Sequence, residues 1–582
     1  MSGEGAGTRI EQARRWFDRP DVRDRPQPPA GSFEIALALA GTVSTGAFTA
    51  GVLDYLMEAL DEFGRISAEG KWQADSVSLR VVTGTSGGSV CASTFARALA
   101  HAFPPQAIDH GDEPVDALSR NPLYRVWVLG FDVQAMCAVP EQAEAPLRSL
   151  LHEGPRFDPF PQTVTETRVR EWVAEPLTVL VTTTNLQGVA YRAVTAGNAV
   201  PTPTWKRHAD CARFEICYGG ASSPDGWPDA VRIDAGQAAA AGWQKLWDGA
   251  RASSAFPLMF PSVPVARPAW NYLYQPNGSC LLTASVEAQD LVQVPCRTGE
   301  DSSLESDWHS GAVDGGLLTA DPSELARREL EGVAPAAGHS PAPLRRAVIT
   351  VDPLWKPVKT TAVDDSLAGV LRAIVNILLT ASGGTQATST GNRFERCAHL
   401  RIVPERVGDD GRVTGSAALA GSALSSFAGF LSSAYRHHDF MLGRRNCQQF
   451  LRAHFGPAPG ATVAGSAMII PLVGSAARDQ PQPAWPVAGS ASAPDAATDV
   501  AALQLPLVRR LAYVARAAWP SWKVRTLLAL MLLLPATFAT RKISEFAANR
   551  VMHWVRGGLI GRGLLDTPAT DAQHPTPRLP DR

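Results

Sequence analysis

A chain of 582 residues with 54 basic and 56 acidic side chains, a net charge of −2 and 45% hydrophobic residues is long enough for a large core and more than one domain. The charge balance carries no global signature of a nucleic-acid binder. Its eight cysteines contain no C-x-x-C pair and so no metal-site pattern.

Residues 1–32 read as a flexible arm, because Asp18-Arg19-Pro20 and Asp24-Arg25-Pro26 each interrupt a helix and Gln27-Pro28-Pro29 forms a stiff linker. Met1–Arg25 is polar and charged and does not resemble a secretory signal, so buried reduced thiols in a cytoplasmic protein are expected. The spacing of Cys211, Cys217, Cys280 and Cys296 also permits disulfides. The apolar run Glu34–Ala40 predicts a buried strand, followed by the loop Gly41-Thr42-Val43-Ser44-Thr45-Gly46 and an amphipathic helix through Leu53, Leu56 and Leu60. Backbone amides at such a junction can bind an anion. A nucleotide-phosphate loop is disfavoured, since neither the G-x-x-x-x-G-K-[ST] lysine nor the G-x-G-x-x-G spacing is present.

The next strand, Val77–Val82, leads into Gly84-Thr85-Ser86-Gly87-Gly88 and a helix from Ser89. Strand, G-x-S-x-G and helix in that order form a nucleophile elbow, which lifts a serine oxygen above a sheet at the positive end of a helix. Residues 101–175 read as largely helical. Their apolar patch Tyr124–Leu129 suits a lid, an acyl pocket or plain helical packing. Leu177–Asn185 predicts a strand rich in β-branched residues, and the polar stretch 195–245 an insertion. Ala250–Pro261 reads as a helix end and a proline-punctuated apolar loop. In Ala312-Val313-Asp314-Gly315-Gly316-Leu317 a carboxylate sits at a strand end with two glycines behind it, as in a plain Asp-Gly turn or beside a catalytic hydroxyl. Ala347–Pro353 predicts a further core strand.

Residues 365–455 read as helices, and His437 and His438 there follow Ser86 and Asp314 in the order of a Ser-Asp-His triad. Their charged helical setting gives no reason to assign either to catalysis. Residues 457–500, rich in Ala, Gly, Pro and Ser, read as a flexible linker with one ordered piece at Met468–Val473. Beyond it, the uncharged run Thr526–Thr540 is shorter than the roughly 20 residues of a spanning helix. Its basic flanks and Trp519, Trp522 and Trp554 suit contact of 505–562 with an anionic membrane surface, or a buried hairpin.

Four segments in this order resemble the patatin-like phospholipase family, over roughly 33–355: the glycine loop, G-x-S-x-G, A-R-A-S-S-A-x-P and D-G-G. The resemblance implies a three-layer α/β/α core, to which the helical reading of 365–455 adds a mainly helical C-terminal extension. It implies a lipid acyl hydrolase with a two-residue centre, Ser86 as nucleophile and Asp314 as general base, and neither metal nor cofactor. Gly41, Thr42, Val43 and Gly87 would supply oxyanion amides, while Gly84, Gly88, Gly315 and Gly316 complete the motifs. One departure stands out. The family loop reads G-G-G-x-[RK]-G, whereas here Thr42 and Val43 replace glycines and Thr45 replaces the cation. The expected domains are the arm 1–32, a catalytic domain 33–355, a helical extension 356–456, a linker 457–500 and a basic, apolar region 501–582. The expected partner is a phospholipid or other acyl-ester lipid, with the protein in the cytoplasm or at the inner face of the membrane. An acyltransferase, a general esterase and an impaired membrane-associated interaction protein are the alternatives.

Overall fold

A computed structural model describes residues 15–16, 19–70, 76–103, 120–131, 133–140, 147–152, 168–192, 204–219, 226–236, 241–268, 271–272, 292–293, 307–332, 344–357, 366, 370, 397–456, 468–518 and 536–566. Its strands are β1 (Ser32–Leu39), β2 (Ser76–Gly84), β3 (Val173–Arg192), β4 (Thr204–Cys217), β5 (Val231–Asp234), β6 (Val263–Pro268), β7 (Val292–Gln293), β8 (Asp307–Asp314), β9 (Arg346–Val351), β10 (Ala398–Ile402), β11 (Glu405–Gly408) and β12 (Gly411–Thr414). The principal helices are α1 (Gly46–Ala68), α2 (Gly87–Ala98), α3 (Ala241–Ser253), α4 (Ser323–Glu331), α5 (Ser433–His454), α6 (Gln504–Ala518) and α7 (Ala536–Ile560).

The molecule is an α/β protein built on a mixed sheet in the order β10-β9-β1-β2-β3-β4-β5. Strands β10 to β3 are parallel, β4 is antiparallel to β3, and β5 runs parallel to β4. Alternation along β1 explains how the sheet is covered. Phe33, Ile35, Leu37 and Leu39 point into the large core shared with α1, α2, α3 and α5. The small side chains of Ala36 and Ala38 face the other way and meet Ala326 and Leu330 of α4. A strand buried on both faces reads as the continuous apolar run seen in the sequence.

The long strand β3 positions the site. On one edge β2 runs parallel to it and stops with Gly84 opposite Val181. Along the same edge β8 runs antiparallel and stops with Asp314 opposite Thr183. The C-terminal ends of β2 and β8 therefore converge on Thr182, from opposite directions.

Several expectations are corrected. The stretch 195–245 is not merely an insertion: β4 and β5 lie within the sheet. Charged residues survive there because they pair. The buried Arg213 guanidinium bonds Glu329 and lies 3.4 Å from Asp229. Residues 365–455 are not all helical, since β10 forms the sheet edge and β11 and β12 a hairpin. The sheet thus continues beyond the expected boundary at 355. The predicted helical run Leu367–Leu379 lies, except for Val370, outside the described residues. In the expected linker, order extends beyond the expected piece Met468–Val473: Ala476, Ala488, Ala493 and Ala496 are buried, and Tyr55 Oη donates to the Ala476 carbonyl at 2.6 Å. The expected arm is tied down at Arg25, whose N–H donates to the Glu331 carbonyl at 2.8 Å. Cys211 and Cys217 are buried thiols. No helix among the described residues is long and apolar enough to cross a membrane, and most of Thr526–Thr540 lies outside them.

Candidate active site

β2 delivers Ser86 at a tight turn and α2 begins immediately after it. Ser86 has φ 54° and ψ −131°, a backbone conformation that non-glycine residues rarely adopt. Neighbouring glycines permit it. A β-carbon at Gly88 would sit 2.3 Å from the Leu39 carbonyl oxygen, and one at Gly84 would sit 2.6 Å from Ser89 Cα. The half-buried Ser86 hydroxyl donates to Asp314 Oδ2 at 2.6 Å. The other Asp314 oxygen accepts the Gly316 N–H at 2.7 Å. Gly315 packs against Thr182, where a β-carbon would meet the carbonyl oxygen at 2.5 Å. Burial pushes the Asp314 carboxyl up to about 6, against the opposing pull of its bonds from Ser86 and Gly316. A carboxylate poised near neutral pH and bonded to a serine hydroxyl has the position and basicity of a general base.

Ser253 and Ala255, within the segment the sequence singled out, join the two halves of this pair. Ser253 Oγ accepts the Ser86 N–H at 2.9 Å and lies 2.7 Å from Ser89 Oγ. Two residues on, the Ala255 carbonyl accepts the Asp314 N–H at 3.0 Å. A serine-rich helix end was visible in the sequence; that it bridges nucleophile and carboxylate depends on the arrival of β8, 60 residues later. Thr85 and Thr182 add a buried hydroxyl pair at 2.8 Å beneath the dyad.

The loop 41–46 lies against the elbow, and a β-carbon at Gly41 would be 3.8 Å from that of Ser86. Not all four expected oxyanion amides are available. The Gly41 N–H donates to the Ala320 carbonyl at 3.2 Å and the Gly87 N–H to the Thr42 carbonyl at 3.2 Å. Gly87 is thereby corrected from oxyanion donor to tether between elbow and loop. The Thr42 and Val43 N–H groups have no backbone or side-chain acceptor among the described residues. Thr45 is fully buried and bonds Thr42 through their hydroxyls at 2.7 Å.

The histidines stand apart from this arrangement. His437 Nδ1 is 2.8 Å from Tyr124 Oη, and His438 Nδ1 is 2.9 Å from Asp439 Oδ1. Burial pushes His437 down to about 4 and keeps its ring neutral. Arg444 is an internal ion-pair partner of Asp54 and Glu58. Trp127 is buried over Gly46. Among the described residues no group of three or more His, Cys, Asp or Glu side chains is placed to hold a metal ion.

Fold and site define an α/β protein with a serine–carboxylate pair at a strand-to-helix elbow. No protein-family model matches the chain. It is similar to an uncharacterized protein, y4iI, of Sinorhizobium fredii, with 27% identity over an alignment covering 78% of this chain and 72% of the relative.

Proposed function

We propose that the protein is a serine lipid acyl hydrolase of the patatin-like phospholipase type, acting as a phospholipase A or lysophospholipase through Ser86 and Asp314. The observation that carries this reading is the 2.6 Å bond from Ser86 Oγ to a buried carboxylate at the left-handed corner of the elbow. Ser86 attacks the ester carbonyl carbon while Asp314 takes its proton, and the Thr42 and Val43 N–H groups receive the oxyanion. Collapse expels the ester's alkoxide, which accepts that proton from Asp314 and departs as the alcohol. Water, deprotonated by Asp314, then releases the acyl group and restores Ser86.

An apolar substrate suits the surroundings. Phe256, Leu258 and Leu318, all within four residues of Ala255 or Asp314, are 39%, 77% and 37% exposed. The wider reading is a patatin-like core with a C-terminal extension that meets the inner face of the membrane. Phe546 and Trp554 on α7 are 69% and 49% exposed beside the exposed Arg550 and Arg556. The committed amides of Gly41 and Gly87 favour a second reading, a catalytically impaired membrane-associated protein. An acyltransferase or general esterase would use the same steps with a different acceptor or substrate.

Labelling with a fluorescent fluorophosphonate, followed by a phospholipid and lysophospholipid screen, separates these. Labelling of wild type that disappears in Ser86→Ala supports the hydrolase. A folded wild type that stays unlabelled, with and without vesicles, supports the impaired protein. Acyl transfer to an added alcohol in preference to water would identify a transferase.

A further inference from the structure

The loop that carries the uncommitted amides is gripped from behind by a distant part of the chain. Ser44 is fully buried, and its hydroxyl donates to the Ser426 carbonyl at 2.6 Å while accepting the Gly429 N–H at 3.0 Å. The Ser44 N–H donates to the same Ser426 carbonyl at 3.1 Å. With Gly41 N–H fixed on Ala320, the Thr42 and Val43 amides are thus pinned on both sides.

Ser44 plugs into an unusual strap. Leu424, Ser425 and Ser426 have φ values of 55°, 55° and 71°, three successive non-glycine residues in left-handed backbone. Such residues occur singly and rarely, so the surroundings must impose the run. Asp439 accepts the Ala420 and Gly421 N–H groups at 2.8 and 2.9 Å. Arg436 donates to the Gly429 carbonyl at 2.6 Å. The C-terminal region supplies the rest. Arg562 donates at 3.0 Å to the Leu419 carbonyl and to Ser422 Oγ, and Leu424 seats on α7 so closely that a β-carbon at Gly558 would lie 2.5 Å from its Cδ2.

We propose that Ser44 is the positioning residue of the oxyanion loop, aiming the Thr42 and Val43 N–H groups by docking into the 421–429 strap, which α7 and Arg562 hold in its left-handed form. The inference rests on the hydrolase reading. The C-terminal region then belongs to the catalytic machinery rather than being a detachable anchor. It also accounts for a loop without the family glycines or cation: the aim of the amides is set from outside the loop.

The experiment uses the full chain, with wild type, Ser86→Ala, Ser44→Ala and Leu424→Ala assayed on p-nitrophenyl butyrate and decanoate. Fluorophosphonate labelling is followed in rate and end point. Losing the aim of one oxyanion donor predicts a fall in kcat of about tenfold to a hundredfold for Ser44→Ala. KM and the acid limb of the pH profile should stay unchanged, with the same factor for both chain lengths. Labelling should slow yet reach the wild-type end point, which a loss of folded protein would lower. Leu424→Ala, remote from Ser86, should shift kcat in the same direction by a smaller factor, and it decides the matter alone should Ser44→Ala not fold. Ser86-dependent turnover with kcat within about twofold of wild type in the folded variants overturns the inference and leaves the hydrolase reading intact. Turnover that does not depend on Ser86 overturns both.

Discussion

Asp314 carries opposing demands of stability and chemistry. Its carboxyl is raised to about 6 by burial. A raised carboxyl favours the folded state fully below the unfolded value near 3.8, and that contribution disappears as pH rises through 6. Asp314→Asn should therefore leave the melting temperature unchanged near pH 3.5 and raise it at pH 8, by at most about 3 kcal/mol of stability. Thermal melts at the two pH values check this, and an equal shift at both would refute it. On the hydrolase reading, turnover by wild type should climb with pH through an apparent value near 6, because Asp314 as general base must be ionised. Ser253→Ala tests the bridge: an unpartnered Ser86 N–H should cost about 1–3 kcal/mol and reduce kcat by about tenfold. The turns that bring Ser86 and Asp314 together could be found from the sequence because each is marked by its own glycines. The commitment of Gly87 and the role of Ser253 could not, since both depend on acceptors or strands far away in the chain.

The two longest buried helices meet backbone to backbone. A β-carbon at Gly51 of α1 would lie 1.9 Å from the Phe440 carbonyl oxygen, and one at Gly443 of α5 would lie 2.2 Å from that of Phe48. Gly51→Ala should accordingly destabilise the protein by several kcal/mol, on the scale of severe overpacking, despite better helix propensity. Chemical denaturation measures it, and a stabilised variant would mean that the helices are not in this contact. Across the same interface Arg444 joins Asp54 and, at 2.6 Å, Glu58, while Asn121 donates to Asp54 at 2.7 Å. Removing only the cation strands two buried carboxylates, so Arg444→Ala should cost about 3–5 kcal/mol in the same measurement. Apolar spacing revealed α1, whereas α5 runs through Gly443, a residue that commonly ends helices, to His454. Gly443 serves close approach, not termination. β10 escaped notice because five residues are too few to separate helix from strand by period; its identity comes from pairing with β9.

At the scale of the molecule, α6 and α7 present two different faces. Inward, Met552, Val555 and Leu559 are buried with Leu431, Tyr435 and Val500. Arg510 is buried as well, donating to the carbonyls of Ala138, Ser149 and Leu150 at 3.0, 3.2 and 2.8 Å. Leu150 in turn donates its N–H to the Leu258 carbonyl at 2.7 Å, beside the exposed apolar residues near the dyad. Of the two readings of this region from sequence, the buried hairpin describes the inward face, and membrane contact is a proposal for the outward one. Deleting residues 501–582 would strip a core as well as a surface, so loss of vesicle binding in that deletion would say little. The outward face of α7 offers the cleaner test. Phe546, Arg550 and Trp554 recur at four-residue spacing and all are exposed. If this face meets anionic lipid, Arg550→Gln with Arg556→Gln should weaken co-sedimentation with phosphatidylserine vesicles by about tenfold or more, as should about 0.5 M salt on wild type. Phe546→Ser with Trp554→Ser should weaken it at any salt concentration, because burial of apolar rings is not screened. Unchanged sedimentation in both double variants would rule out this face and leave the exposed residues around Leu258 as the contact to test.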